Sequence, residues 1–185
     1  MADVKDVASF FIEIANKNDE DFMTNLRLNK LLYFAQAWSL ALLNKPLFEK
    51  DIHAWRLGPV IPEIYKEYKR YGSAPITDAV ETSRDTFTEE EFTLLLDVAR
   101  EYGSFTTPAL VNKAHVEGGP WHQVYCEHSY NDVIGNDRIK RYFKTQPRLR
   151  NFDEIIASDI KVVEGYRDED GVLVLPAELD DEWGI

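Results

Sequence analysis

Apolar positions recur at helical spacing along most of the chain, and polar punctuation separates the runs. Val4, Val7, Phe10, Phe11 and Ile14 share one face of a segment from Asp3 to about Lys17, and Asp3 stands where a cap accepts a free backbone N–H. Asn18 to Asp21 is a polar turn, after which Thr24 offers a cap for a longer helix reaching about Leu43. In that helix Leu28, Leu31, Ala35, Trp38 and Leu42 form one apolar stripe, widened by Phe34 and Ala41. Tyr33, Ala37 and Leu40 lie on another side. A helix that is apolar on several sides needs neighbours on several sides, so this one is expected at the centre.

Pro46 stops the central helix, and residues 47–58 read as an extended, partly buried crossing segment. Gly58-Pro59 reads as a turn, with Pro59 or Pro62 opening a third helix through Ile61, Ile64, Tyr65 and Tyr68 to Tyr71. Residues 72–87 look like loop. Thr88 to Glu91 is a capping-box pattern ahead of Phe92, Leu95, Leu96 and Val98, and Gly103 closes that helix. Thr107-Pro108 opens the next, with Leu110, Val111 and Ala114, and Gly118-Gly119-Pro120 breaks it. Trp121, Val124 and Tyr125 are expected to start a short helix, and Asn136 to cap a last one carrying Ile139, Tyr142 and Phe143. Beyond that the period changes. Ile160 to Tyr166 and Val172 to Leu175 are β-prone runs around Asp168-Glu169-Asp170-Gly171, the pattern of a hairpin.

The expected fold is therefore mainly α. A compact multi-helix domain over residues 1–145 surrounds a central buried helix, and an acidic extension over 146–185 carries a small C-terminal β-hairpin. The 185 residues, 44% of them hydrophobic, suffice for a domain with a real core. No stretch approaches the roughly 20 apolar residues that span a bilayer. The start of the chain lacks a basic region followed by an apolar run, and Cys126 is the only cysteine. A cytoplasmic protein fits both facts.

Charge sharpens the picture through its placement. The net charge is −12, and residues 151–185 hold eleven Asp or Glu against Lys161 and Arg167 alone, leaving about −3 for the rest. Such an extension repels nucleic acid and anionic membranes and favours a basic protein partner. Asp168, Glu169 and Asp170 are its candidate contacts.

Catalytic chemistry finds little support. His115, His122, Cys126 and His128 are spaced H-x6-H-x3-C-x-H, which matches no familiar zinc pattern. Cys126 and His122 lie one turn apart, but the neighbouring Glu127 works against a thiolate. Gly118-Gly119 lacks the Lys and Ser or Thr of a phosphate loop. Neither a catalytic residue nor a metal or cofactor is expected.

Three pieces of the chain carry a resemblance. Leu28-Asn29-Lys30-Leu31-Leu32-Tyr33 is one. Ala54-Trp55-Arg56-Leu57-Gly58-Pro59-Val60, followed by Ile64-Tyr65, is the second. His115, Glu117, Pro120 and Trp121 form the third, an H-x-E-x-x-P-W element. Together they resemble the Panacea domain, a family that includes SocA-like and GepA-like prophage proteins. The resemblance implies a compact helical antitoxin paired with a toxin encoded beside it. Neutralisation by direct binding is the implied mode, and delivery of the toxin to a protease is the alternative. A small His/Cys-dependent enzyme is a third, weaker reading. No direct contact with nucleic acid or membrane is implied.

Within these pieces, Trp55 either buries a large apolar area or serves a binding surface, and Arg56 is equally open to a binding role. Asn29, Tyr33 and Gln36 fall at i, i+4 and i+7. They either form an internal polar network or face a partner. Leu28, Lys30, Leu31, Gly58, Pro59, His115, Pro120 and Trp121 are expected to be structural.

Overall fold

A computed structural model describes residues 1–17, 23–78, 82–125, 132–147, 149, 166–167 and 173–174. Helix α1 is Val4–Lys17. Its first turn is held by Asp3, whose carboxylate accepts from the Lys5 amide at 2.8 Å. Helix α2 is Asn25–Trp38, and the Thr24 hydroxyl accepts from the Arg27 amide at its start. Every residue of α2 except Leu26 is buried. The backbone then widens into a π-helical turn, Ser39–Leu43, and stops at Asn44 with φ of 63°. Asparagine tolerates that left-handed conformation, so the helix ends before Pro46 is reached.

Gln36 fastens the chain that leaves this turn. Its side-chain oxygen accepts from the amides of Leu47 (2.9 Å) and Phe48 (3.2 Å), and its nitrogen donates to the Phe48 carbonyl. The segment that follows is a hairpin. Strand β1, His53–Trp55, pairs antiparallel with β2, Gly58–Val60, with Trp55 opposite Gly58. The reversal thus lies at Arg56-Leu57, not at Gly58-Pro59 as the sequence suggests. Neither Arg56 nor Leu57 has a positive φ; Gly58 takes it instead, at 101°. A turn without mirror-image dihedrals needs a glycine immediately after it to restore strand pairing, and Gly58 supplies that freedom. Residues 132–134 run along the other edge of β1, with the Ala54 amide donating to Asp132 and the Ile134 amide to Ile52.

Helix α3, Pro62–Glu67, begins at Pro62 and tightens into a 3₁₀ turn at Lys69–Tyr71. Helix α4 is Glu89–Gly103, and Thr88 and Glu91 form the reciprocal capping box their spacing predicts. The Arg27 guanidinium, buried beside α4's end, donates to the carbonyls of Gly103 and Phe105. Those carbonyls lack helical partners, so a cation there satisfies both hydrogen bonding and the helix dipole. Helix α5, Thr107–Ala114, is capped by the Thr106 hydroxyl. The expected short helix at Trp121 is instead a run of turns through Val124, in which the Tyr125 and Val124 amides both donate to the Trp121 carbonyl. Helix α6 is Asn136–Phe143. Gly135 occupies the cap position, while the Asn136 side chain accepts from Gln36 at 3.4 Å.

Among the described residues, the five other α-helices and β2 all pack on α2. Its Phe34 ring stacks on Tyr102 of α4 at 4.0 Å, and Trp38 donates to the Tyr102 hydroxyl at 2.9 Å. Phe143 of α6 meets Trp38 edge-on. The mainly α architecture around a central helix is thus the one its hydrophobic pattern implies.

The chain divides into two units, Met1–Leu149 and Arg150–Ile185. In the second, Tyr166–Arg167 (β3) pairs antiparallel with Leu173–Val174 (β4). The remainder of the expected hairpin, including Asp168, Glu169 and Asp170, lies outside the described residues. Among the described residues no helix is long and apolar enough to cross a membrane.

Candidate functional site

Lys30 sits on α2 with none of its surface exposed, and its ammonium group donates to the Pro59 carbonyl at 2.8 Å. Removing a charged amine from water disfavours its protonated form, and burial pulls the Lys30 pKa down to about 7. No described carboxylate pairs with it. Gly58 lies directly against this amine. A Cβ there would stand 2.8 Å from Lys30 Cε and 3.0 Å from His115 Nε2. Glycine is therefore required twice at this position, for its positive φ and for the close approach.

His115 ends α5, and its ring stacks flat on Trp121 at 3.7 Å; Trp121 in turn stacks on Tyr125 at 4.5 Å. Burial, and then the nearby Lys30, lower the His115 pKa, against a hydrogen bond with the Leu57 backbone that raises it. Its Nε2 is buried without a hydrogen-bond partner among the described residues. The Trp121 indole N–H donates to the Trp55 carbonyl at 2.9 Å. Next to Lys30, the Asn29 side chain accepts from the Ile61 backbone amide at 2.9 Å and donates to Asn25, whose side-chain nitrogen donates to the Tyr65 carbonyl. Helix α2 thus grips the second hairpin strand at its middle, through the carbonyl of Pro59, and just past its end, through the amide of Ile61. Three segments far apart in sequence meet behind the hairpin.

In front of it lies a groove of about 660 Å³, bounded by the start of α2, the hairpin tip and α3. Trp55 is half-buried in its wall, edge-on to Tyr65 with ring centres 4.9 Å apart. Its indole N–H has no acceptor among the described residues. Arg56 and Leu57 project at the tip, with Leu57 48% exposed. This is a concave, largely apolar surface with a few polar groups, of a size that takes a short peptide segment or a small molecule.

Of the candidate contact residues, Trp55, Arg56 and Asn29 line the groove together. Asn29 does so from a buried position, with its side chain already engaged. Tyr33 and Gln36 are buried further along α2, away from the groove. Tyr33 packs against Phe34 and Phe143, and Gln36 holds the chain after the π-helical turn. Leu28, Leu31, Pro59, Pro120 and Trp121 are buried. His122 is exposed and accepts from the Gly118 amide, while Cys126 and His128 lie outside the described residues. Among the described residues no group of three His, Cys, Asp or Glu is disposed to hold a metal. Leu57, Lys69 and Thr107 also line the groove. Their periodicity could not reveal this, because each reaches it from a different element.

Residues 28–122 match the family described as antitoxin SocA-like, Panacea domain. That stretch holds all three segments that converge on Gly58 and most of the groove's lining, with Thr24, Asn25 and Leu26 lying just before it. Antitoxin SocA of Caulobacter vibrioides (strain NA1000 / CB15N) is 30% identical over 147 residues, covering 72% of this chain and 71% of that protein. No solved structure matches the chain. On the extent of both likenesses, the chain belongs to the SocA-like antitoxin family that carries the Panacea domain.

Proposed function

We propose that this antitoxin neutralises a protein toxin by binding it directly, and that the groove beside the β-hairpin receives the toxin. The observation that carries this reading is the hairpin tip. It presents Trp55, Arg56 and Leu57 at the edge of an apolar groove, on a scaffold gripped from behind by Lys30 and Asn29. Tryptophan and arginine are the side chains that most often dominate binding energy, and they do so best on a rigid support. The protein works in the cytoplasm on this reading, without catalysis, metal, DNA or membrane. The acidic extension, with Asp168, Glu169 and Asp170, adds electrostatic steering toward a basic region of the toxin.

The test begins with the product of the gene adjacent to this one, expressed alone and with the antitoxin. Growth arrest by the first, rescue by the second and co-purification of a stable complex are the expected results. A double Trp55→Ala, Leu57→Ala variant that stays folded by thermal melting should lose both rescue and complex. Rescue without any complex, with the toxin's level falling only in a protease-proficient host, would replace neutralisation by binding with delivery for proteolysis.

A further inference from the structure

The groove is electrostatically out of character with the rest of the protein. Residues 1–150 carry a net charge of about −3, yet among the described residues no carboxylate lines the groove, and the charged residues in its wall are Arg56 and Lys69. Both are exposed, and neither forms an ion pair with any described residue. The carboxylates of the adjoining α3 are occupied elsewhere, Glu63 by Lys50 and Glu67 by Lys5. The first turns of α2 and α5, whose residues Asn25 and Thr107 also line the groove, contain no acidic residue. The positive ends of their helix dipoles therefore add to the potential, with no acidic side chain in either first turn to offset them. The apolar part of the lining includes Trp55, Leu57, Val60 and Tyr65.

From this we infer that the groove takes an acidic-apolar peptide segment of the toxin. One aromatic or aliphatic side chain seats against Trp55 and Tyr65, and flanking Asp or Glu carboxylates meet Arg56 and Lys69. The inference rests on the groove being the docking site. It gives that site a sign opposite to the basic surface that the acidic extension favours, so two regions of one toxin, of opposite charge, are addressed by two parts of the antitoxin. The physical reason is desolvation. A cation pair at the rim of an apolar groove is poorly compensated when a neutral or basic segment covers it, and well compensated by a carboxylate.

The experiment uses a random peptide library displayed on phage, selected against the full-length protein at low salt. Selected peptides should combine Asp or Glu with an aromatic or large aliphatic residue. A synthetic copy should shift the NMR signals of the Trp55 indole and the Leu57 methyls, and its binding should weaken as salt is raised. In the variant Arg56→Glu, Lys69→Glu, both exposed positions that leave the core untouched, affinity for that peptide should fall about tenfold or more. Repeated selection on this variant should enrich Lys or Arg in place of the acids. Peptides without acidic enrichment, acidic peptides whose affinity is unchanged in the variant, or binding that leaves the groove signals unmoved would each overturn the inference. The toxin complex separates this from the broader reading. If the adjacent-gene toxin binds the charge-reversed variant as well as the parent, the acidic segment is wrong while neutralisation by binding stands. If it binds neither, the broader reading fails.

Discussion

Replacing Gly58 by alanine places a methyl group in the tightest spot of the molecule, and its cost can be built up from the local geometry. At φ of 101° an alanine pays backbone strain of about 1–2 kcal/mol. The new Cβ also stands 2.8 Å from Lys30 Cε. The end of a lysine normally swings aside cheaply, but this side chain is fully buried and its amine is held to the Pro59 carbonyl. Displacing it breaks that bond inside the protein, which costs a further ~1–3 kcal/mol. Because relaxation is shared between the two effects, the expected total is about 2–4 kcal/mol. For a chain of this size that is a fall of about 5–15 °C in melting temperature. Urea denaturation followed by tryptophan fluorescence measures it, with the slope unchanged if only stability has altered. In a Lys30→Ala background the clash with the lysine is gone, so the backbone part and the 3.0 Å contact with His115 Nε2 should remain. The two substitutions should therefore couple by about 1 kcal/mol or more. A Gly58→Ala protein within about 0.5 kcal/mol of the parent, or the same loss in both backgrounds, would refute the reasoning.

Two further outcomes follow from the same interior. Burial holds Lys30 near pH 7 in the folded protein, below its ordinary value of 10.5, so between those values the unfolded chain carries a proton the folded one lacks. Stability should then rise as pH climbs from about 7, with the penalty fully present below that; the depressed His115 acts in the same sense at lower pH. The urea midpoint should be higher at pH 9 than at pH 7, and Lys30→Met should flatten the rise; a parent midpoint that falls over this interval would contradict it. Gln36→Ala strips the acceptor from the buried amides of Leu47 and Phe48 and should cost about 2–4 kcal/mol, with hydrogen exchange accelerated at those two amides above all. Unchanged protection there would show that Gln36 is not what holds the turn.

The element plan was written in the chain because each signal for it is local. A capping residue and a 3.6-residue apolar period need only their own helix, which is why α1, α2 and α4 begin at Asp3, Thr24 and Thr88 as the spacing implies. The many-sided apolarity of α2 likewise announces its central place, since no other environment satisfies such a helix. Gly58-Pro59 misleads for an equally local reason. Glycine before proline is usual in turns, and here the same glycine serves a strand, because the close approach of Lys30 and His115 comes from residues remote in sequence. Trp121 lacks a helix for a comparable reason, with its ring fixed between His115 and Tyr125 and its N–H on Trp55. The groove belongs wholly to the tertiary structure. Trp55 and Arg56 could be singled out as residue types suited to binding. Whether they face a partner, together with Lys69 and the starts of α2 and α5, depends on how α2 grips the hairpin. Sequence determines periodicity, caps and net charge, which act over a few residues. The sign and shape of a concave surface arise only when distant segments are brought to one place, and here packing on α2 brings them there.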